Sequence, residues 1–360
     1  MIRVAVFGAG IGKQHLNGYR NLPEKFSVSV VCDLDVSRAT SATDGDSSIR
    51  IVRDIAQVLS DPEIDLVDIC LPPHLHVPVA LQALEAGKHV ICEKPIARSL
   101  AEVQQMQLAI ERSGKQIFPV FQYRYGLALA QFRALRSADL TGRALVASAE
   151  THWNRESDYY SVAWRGTWKG EAGGAVLGHA IHSHDLLCHI LGPVAELNAY
   201  TSTLVNDIEV EDCAAISMRM ESGALATSSV TLGSADDRSR LRFCFERLTA
   251  ESGIAPYTPA EDIWTFTARG TTRQVEVDQI TQSVESAQAG FTGYLLAIAD
   301  ALAGNGGQEV SFEDGRRSIE FVSAVYLSAH EKRAVKLPLS SKEPFFKGWA
   351  PSDKSLPDPE

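Results

Sequence analysis

The sequence predicts an α/β domain with a doubly wound parallel sheet, followed by an α+β domain with a large, mainly antiparallel open sheet. Up to residue 121, short apolar strands alternate with helical stretches, which is typical of a parallel sheet covered on both faces. A glycine-rich turn directly follows the first strand. Beyond residue 121, long segments alternate polar and apolar residues, as antiparallel strands with one open face do.

The first part contains predicted strands that alternate with predicted helices. The strands are placed at residues 2–7, 28–33, 49–52, 66–71, 88–92 and 116–120. The helices are placed near residues 12–21, 36–42, 54–59, 76–86 and 99–113. Pro72, Pro73 and Pro95 come just after strand ends, so they fix loops at the carboxyl edge of the sheet, where ligands bind in folds of this kind.

The second part begins with a predicted helix near residues 126–137. Strands are predicted at 143–152, 194–204, 210–220, 224–232, 240–248, 262–268 and 272–277, and helices at 174–191, 289–303 and 312–331. Ser311 and Asp314 open the last helix in the manner of a capping box. The predicted domains are 1–121 and 122–345, with helix 312–331 able to pack back on the first. A tail at 346–360 follows, and its last ten residues are expected to be loosely ordered.

The composition excludes several classes of function. The chain has 360 residues, 45% of them hydrophobic, and a formal net charge of −11, so it can bury two cores and lacks the basic clusters that nucleic acid requires. No apolar run approaches ~18 residues, so no membrane span is expected. The first predicted strand begins at Ile2, so no signal peptide is expected. The six cysteines stand singly, and a cytoplasmic location is expected.

The glycine turn Gly8-Ala9-Gly10-Ile11-Gly12 lies between a strand and a helix. Glycines allow a tight turn and a close approach to a pyrophosphate, which the helix N-terminus stabilises. Asp33 closes the next apolar strand, about 20 residues on, where a carboxylate accepts hydrogen bonds from an adenosine ribose. The third glycine of the usual motif is replaced by Lys13. A simple glycine turn before a surface helix would not explain the acid at the second strand.

A second cluster, Glu93-Lys94-Pro95, ends the predicted fifth strand. Lys94 would then project from the carboxyl edge of the sheet, near the nicotinamide of a bound dinucleotide. A partly desolvated lysine beside a cationic ring loses its proton more easily than in water, which suits proton transfer or the anchoring of a hydroxyl. From spacing alone, a surface lysine before a turn proline explains the residue equally well.

A third cluster lies on the helix predicted at 174–191. His179, His182 and Asp185 are spaced at i, i+3, so Asp185 could orient the His182 ring, which suits an acid/base for a hydroxyl or carbonyl. A buried helix with satisfied polar groups is the alternative, and it is preferred for His184 and His189. Zinc helices more often space histidines at i, i+4, so no metal is predicted and metal binding is kept only as a minor alternative.

Aromatic and cationic residues are unusually dense between residues 123 and 168. Flat apolar faces beside hydrogen-bond donors suit the ring of a sugar, although core packing and an oligomer interface also use aromatic residues. The members of this group are Tyr123, Arg124, Tyr125, Trp153, Arg155, Tyr159, Tyr160, Trp164, Arg165 and Trp168.

These motifs together resemble the glucose–fructose oxidoreductase, inositol dehydrogenase and rhizopine-catabolism (Gfo/Idh/MocA) family over nearly the whole chain. Glu93-Lys94-Pro95 is the most specific mark. The others are the glycine turn at 8–12, Leu71-Pro72-Pro73-His74-Leu75-His76, Gln122-Tyr123-Arg124-Tyr125, the segment 173–185 and Glu313-Asp314-Gly315-Arg316. The resemblance implies a Rossmann domain, a C-terminal open sheet, NAD(P)-dependent chemistry on sugars and polyols, and a homodimer or homotetramer built through that sheet.

Carried over by position, the resemblance implies that Lys94 and His182 are catalytic. Many members have an aspartate four residues before the histidine, where this chain has Gly178. The resemblance and the motifs imply cofactor contacts from Gly8, Gly10, Ile11, Gly12, Asp33, Leu71, Pro72, His74, His76, Glu93 and Lys94. They imply substrate contacts from Lys94, Tyr123, Arg124, Trp153, Arg155, Tyr160, Trp164, Arg165, His179 and His182.

We therefore expect an NAD-dependent dehydrogenase of a sugar or polyol. Hydride would pass from a secondary carbinol to nicotinamide, with His182 accepting the hydroxyl proton and Lys94 holding the oxygen. Asp33 favours NAD over NADP because its carboxylate repels a 2′-phosphate and no arginine immediately follows it. Two alternatives stay open: glycoside cleavage through transient oxidation with bound NAD, and a non-catalytic NAD or sugar sensor.

Overall fold

The structure, a computed structural model, describes residues 1–351. These residues fall into two compact units. Unit 1 comprises Met1–Phe121 and Phe291–Arg316, and unit 2 comprises Gln122–Gly290 and the described residues from Arg317 onward. The segment Phe291–Arg316, which the sequence analysis assigned to the second domain, therefore clusters with unit 1. Of the ten terminal residues expected to be loosely ordered, 352–360 lie outside the described residues.

Unit 1 contains a six-stranded parallel sheet in the order β3-β2-β1-β4-β5-β6. Its strands are β1 (Ile2–Phe7), β2 (Phe26–Cys32), β3 (Arg50–Val52), β4 (Leu66–Ile69), β5 (His89–Cys92) and β6 (Ile117–Pro119). Every residue of β4 is buried, because a parallel sheet is covered on both faces. The strand order turns back between β1 and β4, and this switch point is where doubly wound folds bind ligands.

Unit 2 contains an eight-stranded sheet in the order β13-β12-β11-β7-β10-β9-β8-β14. All its strand pairs are antiparallel except β7 with β10, which is parallel. The strands are β7 (Ala144–Asn154), β8 (Val194–Ser202), β9 (Cys213–Met220), β10 (Leu225–Thr231), β11 (Gly233–Phe245), β12 (Leu248–Glu251), β13 (Thr265–Ala268) and β14 (Val335–Lys336). Burial alternates along β9, so one face of the sheet is open, as expected.

Twelve α-helices accompany the sheets in the described part of the chain. They are α1 (Gly12–Arg20), α2 (Val36–Ala42), α3 (Ile55–Leu59), α4 (Pro73–Glu85), α5 (Leu100–Ser113), α6 (Leu127–Ser137), α7 (Trp168–Glu171), α8 (Ala175–Gly178), α9 (Ile181–Leu191), α10 (Gln274–Ser283), α11 (Gly290–Leu302) and α12 (Phe312–Glu331). The capping box at α12 is confirmed. The Asp314 carboxylate accepts from the Ser311 N–H at 2.8 Å, and the Ser311 hydroxyl accepts from the Asp314 N–H at 3.3 Å.

Two predictions of secondary structure are wrong. The strand expected at 272–277 is the first turn of α10, because Val277 packs beside Leu135 and Leu248 in a core that Ile280 also joins. A spacing of three residues brings these two apolar side chains to one face of a helix. The single helix expected at 174–191 is two helices, α8 and α9, interrupted at His179 and Ala180.

The missing third glycine of the nucleotide motif is compensated within unit 1. A Cβ on Gly12 would lie 3.0 Å from a Val6 methyl group, so α1 begins in close contact with β1. A Cβ on Gly18 would lie 3.0 Å from Leu295 of α11. These two glycines therefore supply the close helix packing that the motif normally obtains at the position of Lys13, which is exposed here.

Candidate active site

The glycine turn of unit 1 has the geometry of a phosphate cradle. Gly8 has φ +95°, and a Cβ there would lie 2.4 Å from the Cys70 carbonyl oxygen, so only glycine fits. A Cβ on Gly10 would meet no atom within 4 Å, so the turn is open on that side. Helix α1 starts at Gly12, so the positive end of its dipole lies beside this opening. The turn can thus receive an anionic group, as a pyrophosphate site requires.

Asp33 is connected to the glycine turn and to an arginine that the sequence analysis missed. Its carboxylate accepts hydrogen bonds from the Ala9 N–H at 2.7 Å and the Asp35 N–H at 2.8 Å. Arg38 donates from Nε at 3.2 Å and from Nη2 at 2.8 Å. Burial alone would raise the pKa of Asp33, but the bonds from Arg38 and the two amides lower it below its ordinary value. The acid stays ionised.

The segment after β4 was expected to contact the cofactor through both of its histidines, but the His76 ring is used inside the protein. His76 is buried, with Nδ1 2.7 Å from the Pro95 carbonyl and Nε2 2.7 Å from the Leu71 carbonyl. Both ring nitrogens are used inside the protein, so His76 joins two loops of the carboxyl edge instead of contacting a cofactor through its ring. Pro72 and His74 are exposed and remain candidate cofactor contacts.

Glu93 and Lys94 follow β5 at the carboxyl edge, as predicted. Glu93 is buried, and Lys94 is half-buried. The Glu93 carboxylate accepts the main-chain N–H of Lys94 at 3.0 Å and lies 3.1 Å from Nε2 of His15. The carboxylate therefore fixes the backbone from which the lysine side chain projects.

A group of three potential metal ligands, His15, Asp68 and Cys70, lies inside unit 1 within 4.8 Å. Their donors suit a hydrogen-bonded cluster better than a cation. Nδ1 of His15 is 2.8 Å from Asp68, which is hydrogen-bond distance. Burial raises the pKa of the Cys70 thiol far above its ordinary value, so the thiol keeps its proton in the metal-free protein.

In unit 2, the break between α8 and α9 sets the positions of the two candidate histidines. His179 ends α8 and His182 lies in the first turn of α9, so they are not neighbours on one continuous helix. Both are buried. His182 stacks on the ring of Tyr123, with centroids 4.4 Å apart and planes inclined by 24°. The Tyr123 hydroxyl has its pKa raised to about 12, chiefly by burial.

Aromatic side chains surround His179. Its ring centroid is 5.7 Å from that of Trp153 and 5.7 Å from that of Tyr159. The Arg165 guanidinium lies over the Tyr159 ring at 3.9 Å, and Arg155 lies over Trp153 at 5.1 Å. Such contacts hold flat rings and cations together. Four members of the sequence-predicted group are thus assembled around His179: Trp153, Arg155, Tyr159 and Arg165.

Two further members of the aromatic group lie beside Tyr159. Tyr160 meets it edge to face at 5.0 Å, and burial raises the pKa of the Tyr160 hydroxyl well above its ordinary value. Trp164 is 47% exposed and carries the Arg165 guanidinium 5.0 Å above its ring. An exposed tryptophan of this kind is available for a ligand.

Arg124, which was expected to bind substrate, is buried in an ion pair. Its Nε donates to Asp185 at 2.7 Å and its Nη2 donates to the other carboxylate oxygen at 2.6 Å. Asp185 is therefore the partner of Arg124, whereas the sequence analysis assigned it to orienting His182. This bidentate pair joins the turn at Gln122–Arg124 to α9 and has a structural role.

Unit 2 also contains long-range contacts that the sequence did not reveal and that hold candidate site residues or elements in place. Asp237 and Tyr257 hold Arg155, at 3.1 Å and 2.8 Å from its two terminal nitrogens. Glu211 accepts the N–H groups of Gly174 at 3.0 Å and Val176 at 2.9 Å, and so fixes the start of α8. All these pairs are distant in sequence, and no local spacing could have indicated them.

His184 agrees with the structural alternative in its burial and in the contact of one ring nitrogen. It is buried, its Nε2 lies 2.9 Å from the Ser228 hydroxyl, and its ring packs on Phe321. Burial lowers its pKa to about 3, so the ring stays neutral.

Among residues 1–351, no helix is both long enough and apolar enough to cross a bilayer.

Comparison with known proteins agrees with this architecture. Residues 2–121 match the family model for the NAD-binding Rossmann fold of the Gfo/Idh/MocA oxidoreductases, and residues 129–251 match the model for the C-terminal domain of the same family. The oxidoreductase YrbE of Bacillus subtilis is 29% identical over 62% of this chain, a match that spans 65% of its own length. D-apiose dehydrogenase of Paraburkholderia graminis is 26% identical over 92% of this chain and 89% of the relative.

A solved structure extends the similarity to nearly the whole chain. The WlbA dehydrogenase of Chromobacterium violaceum, crystallised with NADH and UDP-GlcNAcA, superposes with a TM-score of 0.81 and 28% identity. The match covers 94% of this chain and 96% of that protein. The phosphate cradle, the acid at the end of β2 and both family models lead to the same assignment. The chain belongs to the Gfo/Idh/MocA family of NAD-dependent oxidoreductases.

Proposed function

We propose that the protein is an NAD-dependent dehydrogenase that oxidises a secondary alcohol of a sugar, a polyol or a sugar derivative. Two relatives support this substrate class: one is named for D-apiose, and the WlbA crystals contain NADH together with UDP-GlcNAcA. The reaction removes a hydride from a carbinol carbon and a proton from its hydroxyl, and yields a ketone.

The observation that carries the proposal is the assembly of rings and cations around two buried histidines in unit 2. Tyr123 stacks on His182, while Trp153 and Tyr159 flank His179. Aromatic faces bind the apolar C–H faces of sugar rings, and adjacent donors bind the hydroxyl groups. A site for a small apolar alcohol would not need Arg155 held over the Trp153 ring.

The residues of unit 1 fit NAD. Gly8 and Gly10 leave open backbone for a pyrophosphate, and the ionised Asp33 can accept hydrogen bonds from ribose hydroxyls. Bound nicotinamide accepts the hydride. We propose cofactor contacts from Gly8, Gly10, Ile11, Gly12, Asp33, Leu71, Pro72, His74, Glu93 and Lys94.

Lys94 and His182 are proposed to act on the substrate hydroxyl. The Lys94 ammonium would donate a hydrogen bond to the oxygen and stabilise the negative charge that develops there. The His182 imidazole would accept the hydroxyl proton as general base. Both roles need half-buried or buried groups whose charge is not dissipated by water, and both side chains meet that condition.

Gly178 stands where many family members have an aspartate. A Cβ at Gly178 would meet no atom within 4 Å, so the position has room for a larger residue and the glycine is not required for packing. We propose that His182 works without a carboxylate from this position, and that the free space admits part of the substrate or water.

The same family relationship leads us to propose a homodimer or homotetramer built through the open face of the unit 2 sheet. Three apolar side chains are exposed there: Val146 is 50% exposed, Leu225 is 49% exposed and Tyr200 is 69% exposed. They lie on strands β7, β10 and β8. Light scattering should give twice or four times the chain mass, and Leu225→Lys should shift the equilibrium to the monomer.

The experiment that tests the function is a panel of monosaccharides, inositols, sugar acids, nucleotide sugars and glycosides. Each is incubated with the purified protein and NAD⁺ or NADP⁺, and NADH absorbance is followed. Net reduction of NAD⁺ by at least one sugar or polyol supports the proposal. Release of an aglycone without net NADH would replace it with cleavage through transient oxidation. Binding without either reaction would indicate a sensor.

A further inference from the structure

His15 lies at the centre of unit 1 between two carboxylates from neighbouring strands. It belongs to α1 and is completely buried. Nδ1 is 2.8 Å from Asp68 of β4, and Nε2 is 3.1 Å from Glu93, which directly follows β5. The Phe291 ring of α11 packs 4.3 Å from the imidazole. The imidazole therefore has a carboxylate oxygen at hydrogen-bond distance from each nitrogen and an aromatic ring packed beside it.

The two carboxylates each place an oxygen at hydrogen-bond distance from one ring nitrogen of His15. Ionised carboxylates only accept hydrogen bonds, and a neutral imidazole can donate only one. Tyr19 donates to the same Asp68 oxygen at 2.9 Å, and the Cys70 thiol lies 3.5 Å from the other oxygen. Burial by itself lowers the pKa of His15, but Asp68 and the neighbouring groups raise it well above the ordinary value. An imidazolium can donate to both neighbouring carboxylates, whereas a neutral ring can donate to only one of them.

Glu93 connects this imidazolium to the proposed catalytic lysine. One of its carboxylate oxygens faces His15, and the other accepts the main-chain N–H of Lys94 at 3.0 Å. If the Glu93 carboxylate rotated, this hydrogen bond would break and the backbone that presents the lysine would lose its fixed orientation. Small errors in the position of a reacting group reduce turnover strongly.

We propose that His15 is a positioning residue, held as an imidazolium between Asp68 and Glu93, which fixes the Glu93 carboxylate and through it the backbone of Lys94. The proposal rests on the role proposed for Lys94. It assigns no proton transfer to His15, because both ring nitrogens are engaged by carboxylates and the ring is completely buried.

The first test measures the protonation of His15 directly. In ¹⁵N-labelled protein at about pH 8, both ring nitrogens of His15 should give the chemical shifts of an imidazolium, whereas an ordinary histidine is neutral there. His15→Gln identifies the signal by its disappearance. A neutral tautomer at this pH would overturn the proposal. The measurement uses the native protein, so it does not depend on whether a variant folds or on any activity.

The second test separates positioning from a purely structural role. His15→Gln should lower kcat about tenfold or more while changing the Kd of NAD by less than about threefold. Glu93→Gln should act similarly, and the double variant should be no slower than the slower single variant, because both changes break one connection. His89→Gln in the same unit is the matched control and should leave kcat unchanged.

A structural role in α1 alone would raise the Kd of NAD and leave kcat unchanged, and multiplicative losses in the double variant would also contradict the proposal. Lys94→Ala separates a failure of the role proposed for Lys94 from a failure of the proposal for His15. If that variant keeps normal turnover, the role proposed for Lys94 fails, whereas the NMR result decides the protonation of His15 separately.

Discussion

The Tyr123 ring lies parallel to the His182 imidazole at a centroid distance of 4.4 Å, within unit 2. Tyr123 is buried in the turn at Gln122–Arg124, and the same turn is attached to α9 through the ion pair between Arg124 and Asp185. The orientation of the candidate base therefore depends on a stacked ring and on a buried ion pair one residue away.

Replacing Tyr123 tests the stacked ring. Tyr123→Leu should lower kcat about tenfold because the imidazole loses the flat surface that limits its rotation. Tyr123→Phe keeps the ring and should retain most of the activity. Steady-state kinetics at saturating NAD⁺ measures the difference. Equal losses in the two variants would assign the effect to the hydroxyl instead of the stacking.

Breaking the buried ion pair tests its structural role. Arg124→Met leaves the Asp185 carboxylate buried without its main partner, so the free energy of unfolding should fall by about 3–5 kcal/mol. The double variant Arg124→Met/Asp185→Leu removes both charges and should recover a large part of that loss. Urea unfolding of the variants measures both quantities. A double variant as unstable as Arg124→Met would show that the charge imbalance is not the cause.

The pair between Asp33 and Arg38 predicts how cofactor preference can be changed. Asp33→Ser removes the charge that repels a 2′-phosphate and releases the Arg38 guanidinium, which is 54% exposed at its side chain. The ratio of kcat/KM for NADP⁺ to that for NAD⁺ should therefore rise about tenfold or more. Adding Arg38→Ala should cancel most of the gain. An unchanged ratio in Asp33→Ser would mean that Asp33 does not recognise the ribose.

Glu211 predicts a pH dependence of stability in unit 2. Burial raises its pKa from 4.5 to about 7, against the opposing effect of the amides and the Tyr326 hydroxyl that bond to it. The native state therefore binds the proton more tightly than the unfolded state. The free energy of unfolding therefore falls as the pH rises from about 4.5 to about 7. The part of this change that is due to Glu211 is on the order of 3 kcal/mol.

The measurement compares urea unfolding of the native protein and Glu211→Gln at several pH values. The difference in their free energies of unfolding should change across this interval and be flat above it. The exposed Glu221→Gln serves as the control and should follow the native protein. A difference that is constant from pH 4 to pH 8 would contradict the raised pKa.

The open space at Gly178 predicts that the protein tolerates a charged side chain at this position. Because a Cβ meets no atom within 4 Å at this position, Gly178→Asp should fold with a melting temperature close to that of the native protein. A carboxylate close to His182 would raise the pKa of the imidazole, so the acidic limb of the kcat/KM profile should move to higher pH. Gly178→Ala is the uncharged control. An unshifted profile in Gly178→Asp would mean that this position does not face the base.

The parallel sheet of unit 1 was predictable because its signals are local. Apolar strands, glycines and an acid at a strand end fix the cradle and Asp33, and the structure has all six strands within a few residues of the predicted positions. Arg38 escaped prediction because it reaches Asp33 across the first turn of α2. The glycine turn was visible in the sequence because its residues are adjacent, whereas the contact of Arg38 with Asp33 depends on how the helix turns.

Unit 2 was predicted less completely because its interactions join distant segments. Alternation indicated most strands, and Val275 and Val277 alternate as in a strand. Val277 and Ile280 nevertheless share one helix face, and both belong to the core around Leu135. The start of α8 is fixed by Glu211, more than thirty residues away, whose carboxylate accepts the N–H of Val176. In the sequence, Arg124 could be recognised only as a charged residue. Its ion pair with Asp185, 61 residues away, forms only when the chain folds.

The most direct test of the account is the single-turnover rate of NADH formation from a substrate identified in the panel. Lys94→Ala and His182→Ala should each lower this rate about 100-fold, with the affinity for NAD nearly unchanged. The double variant should lose less than the product of the two factors, because both residues act on one hydroxyl. If either single variant forms NADH within about threefold of the native rate, that residue does not take part in the reaction.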